Sequence, residues 1–178
     1  MSHPPVNATA SEQPKPDDCN LREYRTTDKT GWGDGPWMHE PDKRQWTDAA
    51  TRLPCLIVRG PSGALCGYVG VAAGHPFFER EYNDVDVDVH GGLTFAETCA
   101  DGPDPSTGVC HLAAPGEPDH VWWLGFDSAH AFDLAPAFHS ILGASRDRKE
   151  LYRDLSFVRT EVERLAQQIA AAATDAGR

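Results

Sequence analysis

The residues from 83 to 94, with the sequence NDVDVDVHGGLT, alternate strictly between polar and apolar side chains. If this segment is extended, its three valines share one face, and the other face carries Asp84, Asp86, Asp88 and His90. The valine face is typical of a strand packed on a core, whereas the carboxylates must meet solvent or a cation. The pattern therefore predicts a central strand that ends at Gly91 and Gly92, where the backbone can turn or approach a ligand closely.

Further strands are predicted on either side of this segment. Residues 53–60 (LPCLIVRG) and 64–71 (ALCGYVGV) are rich in β-formers and flank the turn-forming sequence GPSG, so they predict a hairpin. A tight turn would place Cys55 nearly opposite Cys66. Residues 121–126 (VWWLGF) form the most apolar run and predict another strand.

A C-terminal helix is predicted over residues 149–173. Its apolar stripe recurs at steps of three and four and consists of Leu151, Leu155, Val158, Val162, Leu165 and Ile169. We expect this stripe to pack on the sheet; the alternative is a partner helix, although the pattern is short for a coiled coil. The fold class predicted is α+β, with an antiparallel or mixed sheet of about four to five strands and the helix on one face.

The 178 residues suit a single domain with a tail. Residues 1–20 have almost no large apolar side chains, which predicts a disordered tail, and residues 21–178 form the domain. Residues 21–50 contain three tryptophans among glycines, prolines and charges. We expect an irregular Trp-rich arm whose indoles dock on the domain; the alternative is a stacking platform for a base or a sugar.

The net charge of −11 opposes binding to nucleic acid and to anionic lipid, although one basic pocket could still hold a small anion. No apolar run approaches the ~20 residues of a membrane span. The N-terminus lacks the basic start and apolar core of a secretory signal, so we expect a cytoplasmic protein. The five cysteines are then expected to be reduced thiols.

The candidate chemical groups are His90 and a cluster that follows the WWLGF run, Asp127, His130 and Asp133. Imidazole and carboxylate are the usual ligands of Zn, Mn or Fe, so these residues predict a divalent metal site (Zn or Mn) with an activated water. Without a metal, His90 or His130 would be the general base, oriented by an aspartate such as Asp127. Three structural alternatives stay open: a solvated aspartate face, Asp127 as a cap, and His130 as a packed histidine.

Other residues are candidates for binding a ligand. Gly91 and Gly92 would allow close approach of a substrate, and Arg59, Trp122 and Trp123 would line its pocket. A second group, Cys99, Cys110 and His111, could hold structural zinc or provide a Cys/His nucleophile, but it lacks the spacing of either site.

Several motifs together resemble a family of small bacterial and bacteriophage proteins. They are GPWMHEPDK, LPCLIVR, CGYVGVAAGHP, VDVHGGLTFA, GEPDHVWWLGFDSAH and YRDLSFVRTEVERLAQQI, and the resemblance covers residues 31–170. It implies a bacterial or phage setting in the cytoplasm and implies no activity. Ser128 stands where the pattern of this family has cysteine, so a thiol role at that position is not available.

The function predicted is a metal-assisted hydrolase with a His/Asp site that acts on a small-molecule ligand. The alternative is a non-catalytic binding protein, such as a phage accessory factor that sequesters a small molecule or blocks a host protein. Docked tryptophans and an acidic surface suit both readings, and the oligomeric state is left open.

Overall fold

A computed structural model of the protein describes residues 18–99, 104–138 and 150–177. Its strands are β1 (Cys19–Tyr24), β2 (Lys43–Thr47), β3 (Pro54–Arg59), β4 (Leu65–Ala72), β5 (Phe95–Thr98) and β6 (Val121–Asp127), followed by one long C-terminal helix (Leu155–Ala176). The strands form a six-stranded sheet in the order β1-β2-β3-β4-β6-β5, and every neighbouring pair is antiparallel. The α+β class and the antiparallel sheet are confirmed, with more strands than expected.

The C-terminal helix packs its apolar stripe against one face of the sheet, as expected. Val158, Val162, Leu165 and Ile169 are buried in one cluster with side chains of β2, β3, β4 and β6. The helix begins later than its periodicity predicts, because the side chain of Asp154 caps it by accepting a hydrogen bond from the Phe157 N–H at 2.9 Å. Leu151 fits the period but precedes the cap and is 58% exposed.

The other face of the sheet is covered by residues 104–118. The ammonium group of Lys43 on β2 donates to the carbonyls of Pro105 (2.8 Å) and Thr107 (3.1 Å). Gln45, also on β2, exchanges two hydrogen bonds with the backbone of Leu112. Burial of Lys43 lowers the pKa of its amine to about 8. The connection thus seals a second, smaller core that contains Leu56, Tyr68, Val121 and Trp123.

The same connection is tied to the end of β5 by a disulfide between Cys99 and Cys110, whose Cα atoms lie 4.9 Å apart. The expectation that all the cysteines are reduced is therefore wrong for this pair, and the bond leaves neither thiol free for zinc or for nucleophilic attack. The expected pairing of Cys55 with Cys66 is also wrong. Cys55 lies opposite Val69 in the β3–β4 register, so the two thiols lie on opposite faces of the sheet.

The alternating segment at residues 85–90 is not a strand, which corrects the central-strand prediction. The alternation of faces holds, because Val85 and Val89 are buried in the core while Asp86 and Asp88 are exposed. Its backbone, however, pairs with side chains of the C-terminal helix. The Asp88 N–H donates to Gln168 Oε1 and the Gln168 amide donates back to the Asp88 carbonyl, both at 2.8 Å. Helix side chains therefore satisfy groups that a neighbouring strand would otherwise bind.

The arm at residues 21–50 is more regular than expected, because it contains most of β1 and all of β2. Two of its three indoles are docked, as predicted: Trp46 is buried in the main core, and Trp37 packs edge-on against Tyr152 at 5.0 Å, while Trp32 is half-buried. The tail predicted at residues 1–20 falls mostly on residues 1–17, which lie outside the described residues. Its last three residues belong to the domain instead: the Asp18 carboxylate binds Arg159 at 2.9 Å, and Cys19 and Asn20 begin β1.

Within the described residues, no helix is both long enough and apolar enough to cross a lipid bilayer.

Candidate functional site

Three separate segments bring His90 and Asp133 together. The His90 Nε2 atom lies 2.7 Å from Asp133 Oδ2, across 43 positions of sequence. Asp133 follows β6, and the backbone on both sides of it pairs with Leu151: the Leu151 N–H donates to the Phe132 carbonyl (2.9 Å), and the Leu134 N–H donates to the Leu151 carbonyl (3.0 Å). This short pairing holds Asp133 beside the residues that lead into the C-terminal helix.

The Asp133 carboxylate is buried and fully engaged, with 1% of its side chain exposed. Its Oδ1 atom accepts a hydrogen bond from Arg153 Nε at 2.7 Å, and its Oδ2 atom also accepts from the His130 N–H at 3.2 Å. Burial alone would raise the pKa of this carboxyl, but the hydrogen bonds from His90 and Arg153 outweigh it, so the pKa of Asp133 is lowered. Asp133 is therefore an anion at neutral pH.

His90 is fixed in orientation while one of its ring nitrogens stays available. Its backbone N–H donates to Glu161 Oε2 at 2.8 Å, and its ring stands perpendicular to Phe157 with the centroids 5.3 Å apart. An anionic carboxylate beside Nε2 accepts a hydrogen bond from the N–H of that nitrogen, so in the neutral ring Nδ1 carries the lone pair. No described residue binds Nδ1, and the side chain is 20% exposed. The pair thus has the geometry of an imidazole base that a carboxylate orients.

His130 lies beside this pair and contributes less. The His90 and His130 ring centroids are 5.7 Å apart. The Nε2 atom of His130 is buried and has no hydrogen-bond partner among the described residues, because Asp127 Oδ1 lies 3.5 Å away in a poor geometry. Asp127 instead accepts from the Ala129 N–H at 2.9 Å and stabilises the turn at the end of β6. Of the predicted residues, the structure joins His90, His130 and Asp133 closely and leaves Asp127 at the edge.

The arrangement does not fit the predicted divalent metal. His90 Nε2 and Asp133 Oδ2 are at hydrogen-bonding distance, which leaves no room for a cation between them, and Arg153 takes the other carboxylate oxygen. Residues 18–99, 104–138 and 150–177 contain no group of three or more His, Cys, Asp or Glu side chains that could hold a metal ion. Zinc or manganese binding therefore stays a prediction without geometric support, and no step below uses it.

The two glycines after His90 differ in their surroundings. Both have positive φ values, 69° at Gly91 and 82° at Gly92, which glycine adopts at low cost. A Cβ atom at Gly91 would lie 1.9 Å from His130 Nε2, whereas a Cβ at Gly92 would meet nothing within 4 Å. Gly91 therefore makes room for the His130 ring, and only Gly92 leaves open space.

The other predicted ligand-binding residues lie elsewhere. The guanidinium of Arg59 is buried and donates to Asp42, Glu40, Tyr152 and two backbone carbonyls, so its donors are already used within the protein. Trp122 and Trp123 are neighbours on β6 and lie on opposite faces of the sheet, so the expectation that they line one pocket is wrong. Trp123 is buried in the second core, and Trp122 donates to the Arg80 carbonyl at 3.0 Å.

Sequence reasoning missed Arg153, Phe157 and Glu161, which complete the surroundings of His90. Arg153 binds Asp133, Phe157 contacts the His90 ring, and Glu161 accepts from the His90 backbone. Glu161 is also buried. A buried carboxylate needs a partner, but the sequence does not show which one.

The chain matches no family model, no curated protein and no solved structure. The resemblance to small bacterial and bacteriophage proteins stays a prediction, and function is argued from the site alone.

Proposed function

We propose that the protein is a small hydrolase in which His90 acts as a general base through Nδ1 and Asp133 orients it. The observation that carries this proposal is the 2.7 Å hydrogen bond from His90 to a buried anionic carboxylate, with the opposite ring nitrogen available to solvent. The carboxylate holds the imidazole in one tautomer and stabilises the imidazolium that forms when it takes a proton.

Water is the nucleophile that this arrangement suits. The nearby hydroxyl of Ser128 is buried and donates to the Leu65 carbonyl at 2.6 Å, so it is committed to the structure. In the proposed step His90 Nδ1 removes a proton from water while the water oxygen attacks the substrate. The imidazolium then returns that proton to the leaving group, so the base is regenerated.

The test is hydrolysis of p-nitrophenyl acetate and p-nitrophenyl phosphate by the wild type and by His90→Gln, Asp133→Asn and His111→Gln. Removal of a general base lowers the rate by roughly 10²–10⁴-fold, so we expect His90→Gln to lose turnover and Asp133→Asn to lower kcat. His111→Gln is the matched control, because His111 packs on Trp123 at 5.3 Å beneath the other face of the sheet. An unchanged rate in His90→Gln, or no turnover of either ester by the wild type, would contradict the proposal.

A non-catalytic binding protein is the second candidate, and exposed apolar side chains beside the site favour it. Phe132 is 68% exposed, and its backbone pairs with that of Leu151, which is 58% exposed. Large apolar side chains grouped on a surface are typical of a contact with a small molecule or another protein. This candidate predicts that Phe132→Ser weakens ligand binding while His90→Gln leaves it unchanged. The bacterial or phage setting, the cytoplasmic location and the lack of nucleic-acid and membrane binding stay predictions from the sequence.

A further inference from the structure

Arg153 presents unused hydrogen-bond donors beside the candidate base. Its Nε atom donates to Asp133 Oδ1 at 2.7 Å, and the guanidinium lies over the Phe157 ring, 4.7 Å from the centroid. Within the described residues, neither Nη1 nor Nη2 has a hydrogen-bond partner, and neither nitrogen is buried. A guanidinium fixed through Nε and stacked on an aromatic ring keeps its two terminal amino groups in a defined direction.

The same two anchors hold His90. Its Nε2 atom binds the other oxygen of the Asp133 carboxylate, and its ring also contacts Phe157. One carboxylate and one phenyl ring therefore fix both the unengaged Nδ1 of His90 and the unengaged amino groups of Arg153. The two functional groups belong to a single site, although neither touches the other.

The nearby carboxylates are already neutralised or engaged by the protein. Asp133 lies between His90 and Arg153, and Glu161 accepts from the His90 backbone and from Arg164 Nη1 at 3.0 Å. Asp154 caps the C-terminal helix. A further carboxylate, Asp127, faces His130. Among the described residues, Asp133 is the carboxylate that pairs with Arg153, through Nε, and the Nη1 and Nη2 amino groups can donate hydrogen bonds to an incoming anion.

We propose that this site binds its substrate through an oxyanion group, a phosphate or a carboxylate, which Nη1 and Nη2 of Arg153 hold next to His90 Nδ1. Guanidinium groups bind such oxyanions with two parallel hydrogen bonds, a geometry that lysine cannot provide. That the bound molecule is a substrate rests on the proposed hydrolase, whereas the binding of an oxyanion rests on the donors of Arg153. The net charge of −11 repels anions at long range, so binding here depends on the local contact with Arg153.

The test follows the His90 ring resonances by NMR during titration with inorganic phosphate, and separately with acetate, at constant pH and ionic strength. The proteins are the wild type, Arg153→Lys, Arg153→Met and the control Arg22→Met, whose arginine is exposed on β1 and, among the described residues, donates its side-chain hydrogen bond to Asn20. Chloride replaces the anion in a parallel titration. Melting temperatures establish that each variant is folded, and Arg153→Lys keeps a cation for Asp133.

We expect a saturable shift with phosphate or acetate, equal in the wild type and Arg22→Met. The dissociation constant should rise by about tenfold or more in Arg153→Met, because hydrogen bonds to a charged group are lost. Arg153→Lys should lie in between, and chloride should give no saturable shift. The stronger of the two anions identifies the substrate group as phosphate or carboxylate. Absence of saturation in the wild type, or an unchanged constant in Arg153→Met, would overturn the proposal.

His90→Gln separates this inference from the hydrolase, with binding measured by calorimetry. If the variant still binds phosphate and the wild type hydrolyses no ester, the oxyanion site stands and the hydrolase fails. If the wild type hydrolyses esters through His90 and binds neither anion, the hydrolase stands and the oxyanion site is refuted.

Discussion

Replacing Gly91 by alanine should damage the candidate site through one steric contact. The added Cβ would lie 1.9 Å from His130 Nε2, so the His130 ring must move away from the position it occupies beside His90. Gly92→Ala is the matched control, since Gly92 also has a positive φ (82°) but open space around its Cβ position. Both substitutions strain the backbone, but only Gly91→Ala also overlaps the His130 ring.

The destabilisation of each variant can be divided into a backbone cost and a steric cost. Placing alanine in the left-handed region costs roughly 1–2 kcal/mol, and this cost applies to both variants. Forcing extra volume into a packed site costs typically 1–3 kcal/mol more. We therefore expect Gly92→Ala to lose about 1–2 kcal/mol and Gly91→Ala to lose about 2–5 kcal/mol of unfolding free energy. In a His130→Ala background the overlapping ring is absent, so the two glycine variants should become equal.

Urea unfolding followed by tryptophan fluorescence measures these differences, and the wild type, Gly91→Ala, His130→Ala and their double variant form a double-mutant cycle. A coupling between Gly91 and His130 of about 1 kcal/mol or more is expected. Equal stabilities of Gly91→Ala and Gly92→Ala would refute the reasoning, because they would show that the ring swings into solvent at no cost. A difference that persists without His130 would place the strain in the backbone instead.

Three further outcomes are expected. Leu165→Ala should lower the unfolding free energy measured in urea by ~2–5 kcal/mol, because Leu165 is buried in the core. Leu151→Ala, at an exposed position, should leave it nearly unchanged, and equal effects would refute the packing described. Because the pKa of Asp133 is lowered on folding, its ionised carboxylate stabilises the protein fully above the ordinary aspartate pKa of 3.8, and this stability is lost as the pH falls further. Asp133→Asn should therefore flatten the fall in unfolding free energy below about pH 4. An unaltered fall would contradict this assignment. Mass spectrometry after alkylation in denaturant without reductant should label three of the five cysteines and spare Cys99 and Cys110; five labelled thiols would show that the disulfide is absent.

Elements that bury one face or that end in a turn-forming sequence were predictable from the sequence. The apolar stripe from Leu155 to Ile169 shows which side of the helix packs on the sheet, and the sequence GPSG predicts the turn between β3 and β4. Residues 85–90 show the limit of such reasoning. Alternation correctly separates buried valines from exposed aspartates, but it does not say what binds the backbone, and here the partners are helix side chains.

The candidate site was predictable in part. His90 and Asp133 were chosen for their chemistry, and the fold does bring them together. Arg153 was missed because its importance depends on Asp133, which lies 20 residues earlier in the chain and is held beside it by the backbone pairing at Leu151. The disulfide was missed for the same reason: its geometry depends on how the connection from β5 folds back across the sheet, which no local pattern encodes.

The hydrogen bonds between residues 85–90 and the C-terminal helix make the amide hydrogens of this segment reporters of helix docking. The Asp88 and His90 amides are protected by Gln168 and Glu161, 80 and 71 positions away, and have no strand partner. Both should exchange with solvent deuterium whenever the helix lifts from the sheet, even while the sheet itself stays protected. A ligand that binds the docked state alone should slow both exchange rates by the same factor. Deuterium exchange at these two amides would then measure ligand affinity without any knowledge of the reaction.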